Sequence, residues 1–216
     1  MPILDLGNTP LLEQQEVALD EIVGQVVQRL TPRAIERSVK IRRMLSPGLT
    51  ALGDAAAIRR VLERLLGNAV EASPPGTVHI QGYPGVISRQ TLEKHSGNDG
   101  FEHHVVPVDA GVDYRLQDHQ IQVVELIIRD FGAPIPARLQ PFLFDRVAYQ
   151  PPPNRAGLPF VAELVTAMRG VVWVEADSLE RSCIFHVVLP MPLSQPLQKV
   201  ATTGSRVVEQ AYPQLP

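Results

Sequence analysis

The stretch from Asp54 to Ile80 constrains the fold more than any other part of the chain. Ile58, Val61, Leu62, Leu65, Leu66, Ala69 and Val70 recur at steps of three and one, the spacing that gathers apolar side chains on one stripe of an α-helix. Asp54 stands where its carboxylate can accept from the first free amides of that helix. Ser73-Pro74-Pro75-Gly76 cannot continue it, because proline has no amide donor and its ring crowds the preceding turn. Thr77-Val78-His79-Ile80 then has the β-branched content of a strand. A core helix turned back into a strand implies an α/β layer, since the helix must bury its stripe against the face of a sheet.

The remaining pattern supplies that sheet. Val17, Leu19, Ile22, Val23, Val26, Val27 and Leu30 predict an amphipathic helix from Glu16 to about Arg29, ended near Thr31-Pro32. A short strand is expected over Val39–Leu45, before the Pro47-Gly48 turn. Ile121–Arg129 is a strongly apolar strand that stops at Asp130-Phe-Gly-Ala-Pro-Ile-Pro136, where glycine and proline force a loop. A short helix over Ala137–Phe144 follows. Phe160, Val161, Leu164, Val165 and Met168 mark another amphipathic helix, closed by Gly170. Strands over Val171–Ala176 and Cys183–Leu189 complete the ordered part. Residues 82–119 show no sustained period and read as a long excursion, with a hairpin around Glu102–Val108.

Composition removes several function classes. Lys and Arg number 20 against 23 Asp and Glu, a formal charge of -3, and neither sign forms a block that could follow a phosphate backbone, so nucleic acid is not an expected partner. Cys183, the single cysteine, cannot close an intramolecular disulfide and lies in an apolar run suited to a buried thiol. No apolar run approaches the roughly 18 residues that a membrane span needs, and the first residues do not have the form of a signal peptide. The expected setting is cytoplasmic, with no membrane segment in this chain. His95, His103, His104 and His119 fall in the excursion without ligand spacing that defines a metal site.

Several motifs give this layer an identity. Arg64-Leu-Leu-Gly-Asn68-Ala-Val-Glu-Ala-Ser-Pro-Pro-Gly76 resembles the asparagine box of the histidine-kinase branch of the ATPase superfamily shared with gyrase, the mismatch-repair ATPases and the heat-shock chaperone ATPase. Asp130-Phe-Gly132-Ala-Pro134-Ile135-Pro136 resembles that family's Asp-x-Gly-x-Gly-Ile-Pro box, with Pro134 in place of the second glycine. Phe142-Leu-Phe144-Asp-Arg146 is similar to the aromatic box before the nucleotide lid. Of the third box, Gly-x-Gly-Leu-Gly-Leu, Arg155-Ala-Gly157-Leu158-Pro159-Phe160 keeps Gly157-Leu158. The resemblance covers about residues 17–190.

That resemblance implies a set of roles. Asn68 would be the magnesium ligand, and an amide oxygen suits a hard cation that bridges phosphate oxygens. Asp130 would accept the adenine amino group, and Gly132 would let the backbone approach the ring. Arg146, Arg155, Gly157 and Leu158 would contribute to holding the nucleotide. Glycines at such a place expose the amides of a helix N-terminus to phosphate, a donor set from which Pro159 subtracts one. Arg64 stands where these kinases usually have Asn and the gyrase branch its catalytic Glu, so Glu71 is the candidate catalytic carboxylate, with Glu63 beside it. No His precedes His79, so a phosphoacceptor His on a dimerising helix would lie outside this chain.

The expected fold is therefore an α/β two-layer sandwich: a mixed sheet of about five strands with three helices on one face. Residues 1–36 would form an N-terminal helical linker segment, 37–191 the ATP-binding domain with 82–119 as a long insertion, and 192–216 a disordered tail. The function implied is the ATP-binding catalytic domain of a two-component sensor histidine kinase, using ATP and Mg2+. Its partners would be a response regulator or a histidine-phosphotransfer or dimerisation domain, with a homodimer through the N-terminal segment. The alternative is a catalytically inactive, pseudokinase-type module on the same scaffold, in which nucleotide binding is weak or lost. A serine-directed relative such as an anti-sigma-factor kinase fits less well, because its lid needs the same glycines.

Overall fold

The computed structural model describes residues 12–88, 105–107, 120–144, 157–177 and 181–192. Three α-helices lie among them: α1 (Leu19–Glu36), α2 (Ala55–Ala72) and α3 (Leu158–Ala167). The strands are β1 (Gln15–Ala18), β2 (Val39–Leu45), β3 (Thr50–Gly53), β4 (Gly76–Ser88), β5 (Val106–Pro107), β6 (Gln120–Asp130), β7 (Val171–Asp177) and β8 (Ser182–Pro190). The main sheet runs β2-β4-β6-β8-β7, with β5 beside β4, and a separate ribbon pairs β1 with β3. Only β2 and β4 are parallel; the other pairs are antiparallel. The expected mixed sheet with three helices on one face is what the chain forms.

Strand periodicity explains the layering. Ile80, Ile128 and Phe185 sit opposite one another across β4, β6 and β8, so their side chains leave the sheet on the same side. All three are buried in one core with Ile58, Leu62, Leu65 and Leu66 of α2 and Val161 and Val165 of α3. The stripe read from the sequence of α2 is the stripe that covers the sheet, and Asp54 caps it, accepting from the Ala57 amide at 2.8 Å through Oδ1.

Three expectations need correction. Helix α1 does not end at Thr31-Pro32 but runs through Pro32 to Glu36. An interior proline costs ~3 kcal/mol or more, so the last turn must be held from outside. Ala34 is buried in the core, Arg33 pairs with Glu71, and Arg37 donates from Nε to the Val70 carbonyl at 3.1 Å. Across the boundary expected at residue 36, Leu19, Ile22, Val23, Val26 and Ala34 belong to the same core as α2.

Residues 82–88 are likewise strand, not excursion. The Gly82 carbonyl accepts from the Ser46 amide on the β2 side, and alternation turns the backbone of Pro84 the same way, beyond the end of β2 pairing at Gly82. The missing donor of Pro84 therefore costs no ladder bond to β6, where it sits opposite Val124. Finally, Ala137–Phe142 forms a 3-10 helix rather than an α-helix, and β1 and β3 were not anticipated. Of the hairpin expected around Glu102–Val108, only residues 105–107 are described, pairing with β4; the tail after residue 192 lies outside the described residues.

Candidate functional site

The C-terminal end of α2 and the loop after β6 meet, and they meet tightly. Asp130 ends β6 fully buried, and its Oδ1 accepts from the Gly132 amide at 3.0 Å, closing a turn of the kind in which an Asx side chain replaces a backbone acceptor. Ser73, just past α2, accepts from the Phe131 amide through Oγ at 3.4 Å. Cys183, paired in register with Asp130 on β8, is buried and turns its thiol toward the Ala133 carbonyl at 3.7 Å. The helix carrying Asn68 and the loop carrying Asp130 and Gly132 thus share one junction.

Asn68 is 3% exposed, on a helix whose other buried side chains are apolar. A buried amide and a buried carboxylate at one end of an otherwise apolar layer each carry a desolvation penalty that only polar partners offset. Glu71, one turn further on, is engaged differently: its carboxylate pairs with Arg33 of α1, and Arg37 donates to the Glu71 carbonyl at 2.8 Å. These contacts seam α1 to α2, together with Arg29–Glu63 at 2.8 Å and Arg59–Gln25 at 2.9 Å.

Gly157 and Leu158 open α3. Gly157 takes the left-handed conformation, φ +80, as the N-cap, and Leu158 is buried in the core. Pro159 occupies a first-turn position, where a missing donor removes no intrahelical bond. The Arg64 side chain of α2 lies across this glycine: a Cβ on Gly157 would stand 2.7 Å from Arg64 Nε. The start of α3 is thereby brought to the α2 face that carries Asn68. In the aromatic box, Leu143 is the fully buried residue, while Phe142 is exposed and Phe144 packs at the core margin. Arg146 and Arg155, and the four histidines of the excursion, lie outside the described residues. Among the described residues no group of three or more His, Cys, Asp or Glu is placed to hold a metal ion, and no helix is long and apolar enough to cross a membrane.

Sequence reasoning passed over a second polar cluster on the opposite face of the sheet. Glu125 and His186 are both fully buried, with His186 Nδ1 at 2.7 Å from Glu125 Oε1. Tyr83 donates to Glu125 Oε2 at 2.6 Å, and Trp173 stacks on the His186 ring at 4.6 Å. Glu125, midway through an apolar strand, was the visible signal. Further along this face Arg42, His79 and Arg129 stand in register on β2, β4 and β6. Burial, then the nearby charges of Arg42 and Arg129, lower the His79 pKa from its ordinary value.

The chain is similar to known proteins in sequence and in fold. The profile of the family described as histidine kinase-, DNA gyrase B-, and HSP90-like ATPase matches residues 53–193. The sensor histidine kinase CusS of Escherichia coli O157:H7 is 28% identical over 192 residues, 85% of this chain and 32% of the relative; CusS of Escherichia coli strain K12 matches over the same extent. The chain thus spans about a third of the length of the curated relatives it matches. Among solved structures, the mycobacterial sensor histidine kinase MprB aligns with a TM-score of 0.59 at 21% identity, over 84% of this chain and all of that one. The nucleotide-free catalytic domain of the histidine kinase ThkA gives 0.60 at 17% identity, over 82% and 95%. Full-length ShkA in complex with AMPPNP gives 0.60 at 22%, over 85% and 32%. These structures share the fold.

Proposed function

Because the chain belongs to the histidine kinase-, DNA gyrase B-, and HSP90-like ATPase family, we propose that it is the ATP-binding catalytic domain of a two-component sensor histidine kinase. In this reading it binds ATP in the cytoplasm and presents the γ-phosphoryl group to a His supplied by a dimerisation or histidine-phosphotransfer domain. A response regulator is the downstream partner, and dimerisation involves the N-terminal side of the chain. The observation that supports the reading is the tie between the end of the helix carrying Asn68 and the Asp130–Gly132 loop, through Ser73 and Phe131, with Asn68 and Asp130 both buried.

Asp130 would hold the adenine amino group, its carboxylate already oriented by the Gly132 amide. Asn68 would offer its amide oxygen to Mg2+, which would supply positive charge at the phosphates. The start of α3 at Gly157 and Leu158 would face the phosphates, with Arg146 and Arg155 as further candidates. We assign Glu71 to the α1–α2 seam rather than to proton transfer, since Arg33 engages its carboxylate.

Calorimetry with millimolar ATP and magnesium tests this. Asp130→Asn should weaken binding at least about tenfold, the scale of a hydrogen bond to a charged group, and Asn68→Ala should reduce the affinity to that measured in EDTA. Absence of ATP binding by the unaltered chain would end the kinase reading. The second reading, a pseudokinase-type docking module, would then stand; it is favoured by the engaged Glu71 and by the prolines at 134 and 159.

A further inference from the structure

Of the two arginines of α2 that make no hydrogen bond or ion pair among the described residues, Arg60 and Arg64, it is Arg64 that lies against the start of α3. Arg59 donates to Gln25, while Arg29, Arg33 and Arg37 of the facing helix region find Glu63, Glu71 and the carbonyls of Val70 and Glu71. Arg64 is exposed and forms no hydrogen bond or ion pair among the described residues. Its place is nevertheless defined. The side chain crosses Gly157, so that a Cβ there would meet Nε at 2.7 Å, Cζ at 3.0 Å and Cδ at 3.1 Å.

That position is electrostatically unfavourable for a cation alone. Gly157 caps the N-terminus of α3, whose first turn has no acidic residue and whose cap makes no side-chain hydrogen bond. The free amides of a helix start carry partial positive charge, which repels a guanidinium and attracts an anion. Arg64 also lies one helical turn before Asn68, on the same side of α2. Two positive groups therefore converge beside the proposed magnesium ligand, and an anion arriving between them would be held by both.

We propose that Arg64 is a phosphate ligand of the nucleotide site, taking a share of the charge neutralisation otherwise left to magnesium. The inference rests on the nucleotide-binding reading above, and it makes a distinct claim: binding of ATP to this chain survives removal of the metal.

ATP binding is measured by calorimetry in magnesium and in EDTA, for the unaltered chain, Arg64→Asn and Arg64→Lys, with adenosine as a phosphate-free probe. The unaltered chain should lose less than about fivefold in EDTA. Arg64→Asn should lose about tenfold or more in EDTA, with adenosine binding and melting temperature unchanged, and Arg64→Lys should fall between. Equal or tighter ATP binding by Arg64→Asn in EDTA would overturn the proposal, showing an idle or obstructing side chain. Magnesium-dependent binding of the same size in both proteins would overturn it while leaving the nucleotide site intact. No binding of ATP by either protein in either buffer would overturn the nucleotide reading, and this proposal with it.

Discussion

Gly132 stands so close to the end of α2 that a Cβ on it would lie 2.6 Å from the Ala72 carbonyl oxygen. The contact is with backbone at a helix terminus that is itself tied to the same loop through Ser73 and Phe131, so neither side can yield cheaply. Gly132→Ala should destabilise the domain by about 2 kcal/mol, the range of overpacking a tight contact. Urea denaturation should show a lower midpoint with an unchanged slope, and ATP affinity should fall because the Asp130 turn moves with the loop.

Arg33 and Glu71 illustrate the opposite regime. Their side chains are 55% and 25% exposed, and pairs of this kind contribute about 0.5–1 kcal/mol at most. A double-mutant cycle with Arg33→Ala and Glu71→Gln should give a coupling within that range, shrinking at high salt. If Glu71 serves the helix seam, Glu71→Gln should leave ATP affinity unchanged; a large drop in phosphoryl transfer at equal stability would return it to the chemistry.

His79 should make stability depend on pH. Its folded pKa lies below the ordinary value of 6.5, through burial first and the charges of Arg42 and Arg129 second. The unfolded chain therefore binds the proton more readily, so stability falls as pH drops below 6.5 and levels off under the folded pKa. Melting temperature followed from pH 7.5 to pH 5 should decline more steeply for the unaltered protein than for His79→Gln. Parallel curves would assign the acid sensitivity to other groups.

Glu125 and His186 share a fully buried hydrogen bond at 2.7 Å, and removing one member takes a polar partner from a group shut off from water. Glu125→Leu or His186→Phe alone should each cost about 3 kcal/mol, whereas the double substitution should cost less than the sum. Equal, additive losses measured by denaturant titration would mean that the two groups are held independently.

Local chemistry made much of this protein legible beforehand. The three-and-one spacing of α2 names its buried face without any neighbour, and Asp54 identifies its own cap, because both signals act within one turn of helix. Asn68 and Asp130–Gly132 were visible as motifs for the same reason: each is a short segment whose residue types and order carry the chemistry. Glu125 stood out only as an anomaly, since its partners Tyr83 and His186, and Trp173 stacked on His186, come from three other strands.

Residue types and their spacing name the elements and the residues able to bind: a stripe, a turn, an Asx loop, a glycine at a helix start. Packing sets what each of them lies beside. Pro32 is a helix terminator by local rules, yet α1 continues because Arg33, Ala34 and Arg37 are held by α2 and the core. Pro84 reads as a strand breaker, yet β4 continues because β2 has already ended on its side. Glu71 and Arg64 look alike on a helical wheel as exposed charges beside Asn68, and only packing separates them: one meets Arg33 of α1, the other meets the bare backbone of Gly157. Period and propensity act over a turn or a pleat, whereas a partner's charge or a free edge is set by segments far apart in the chain, and that is where local reading ends.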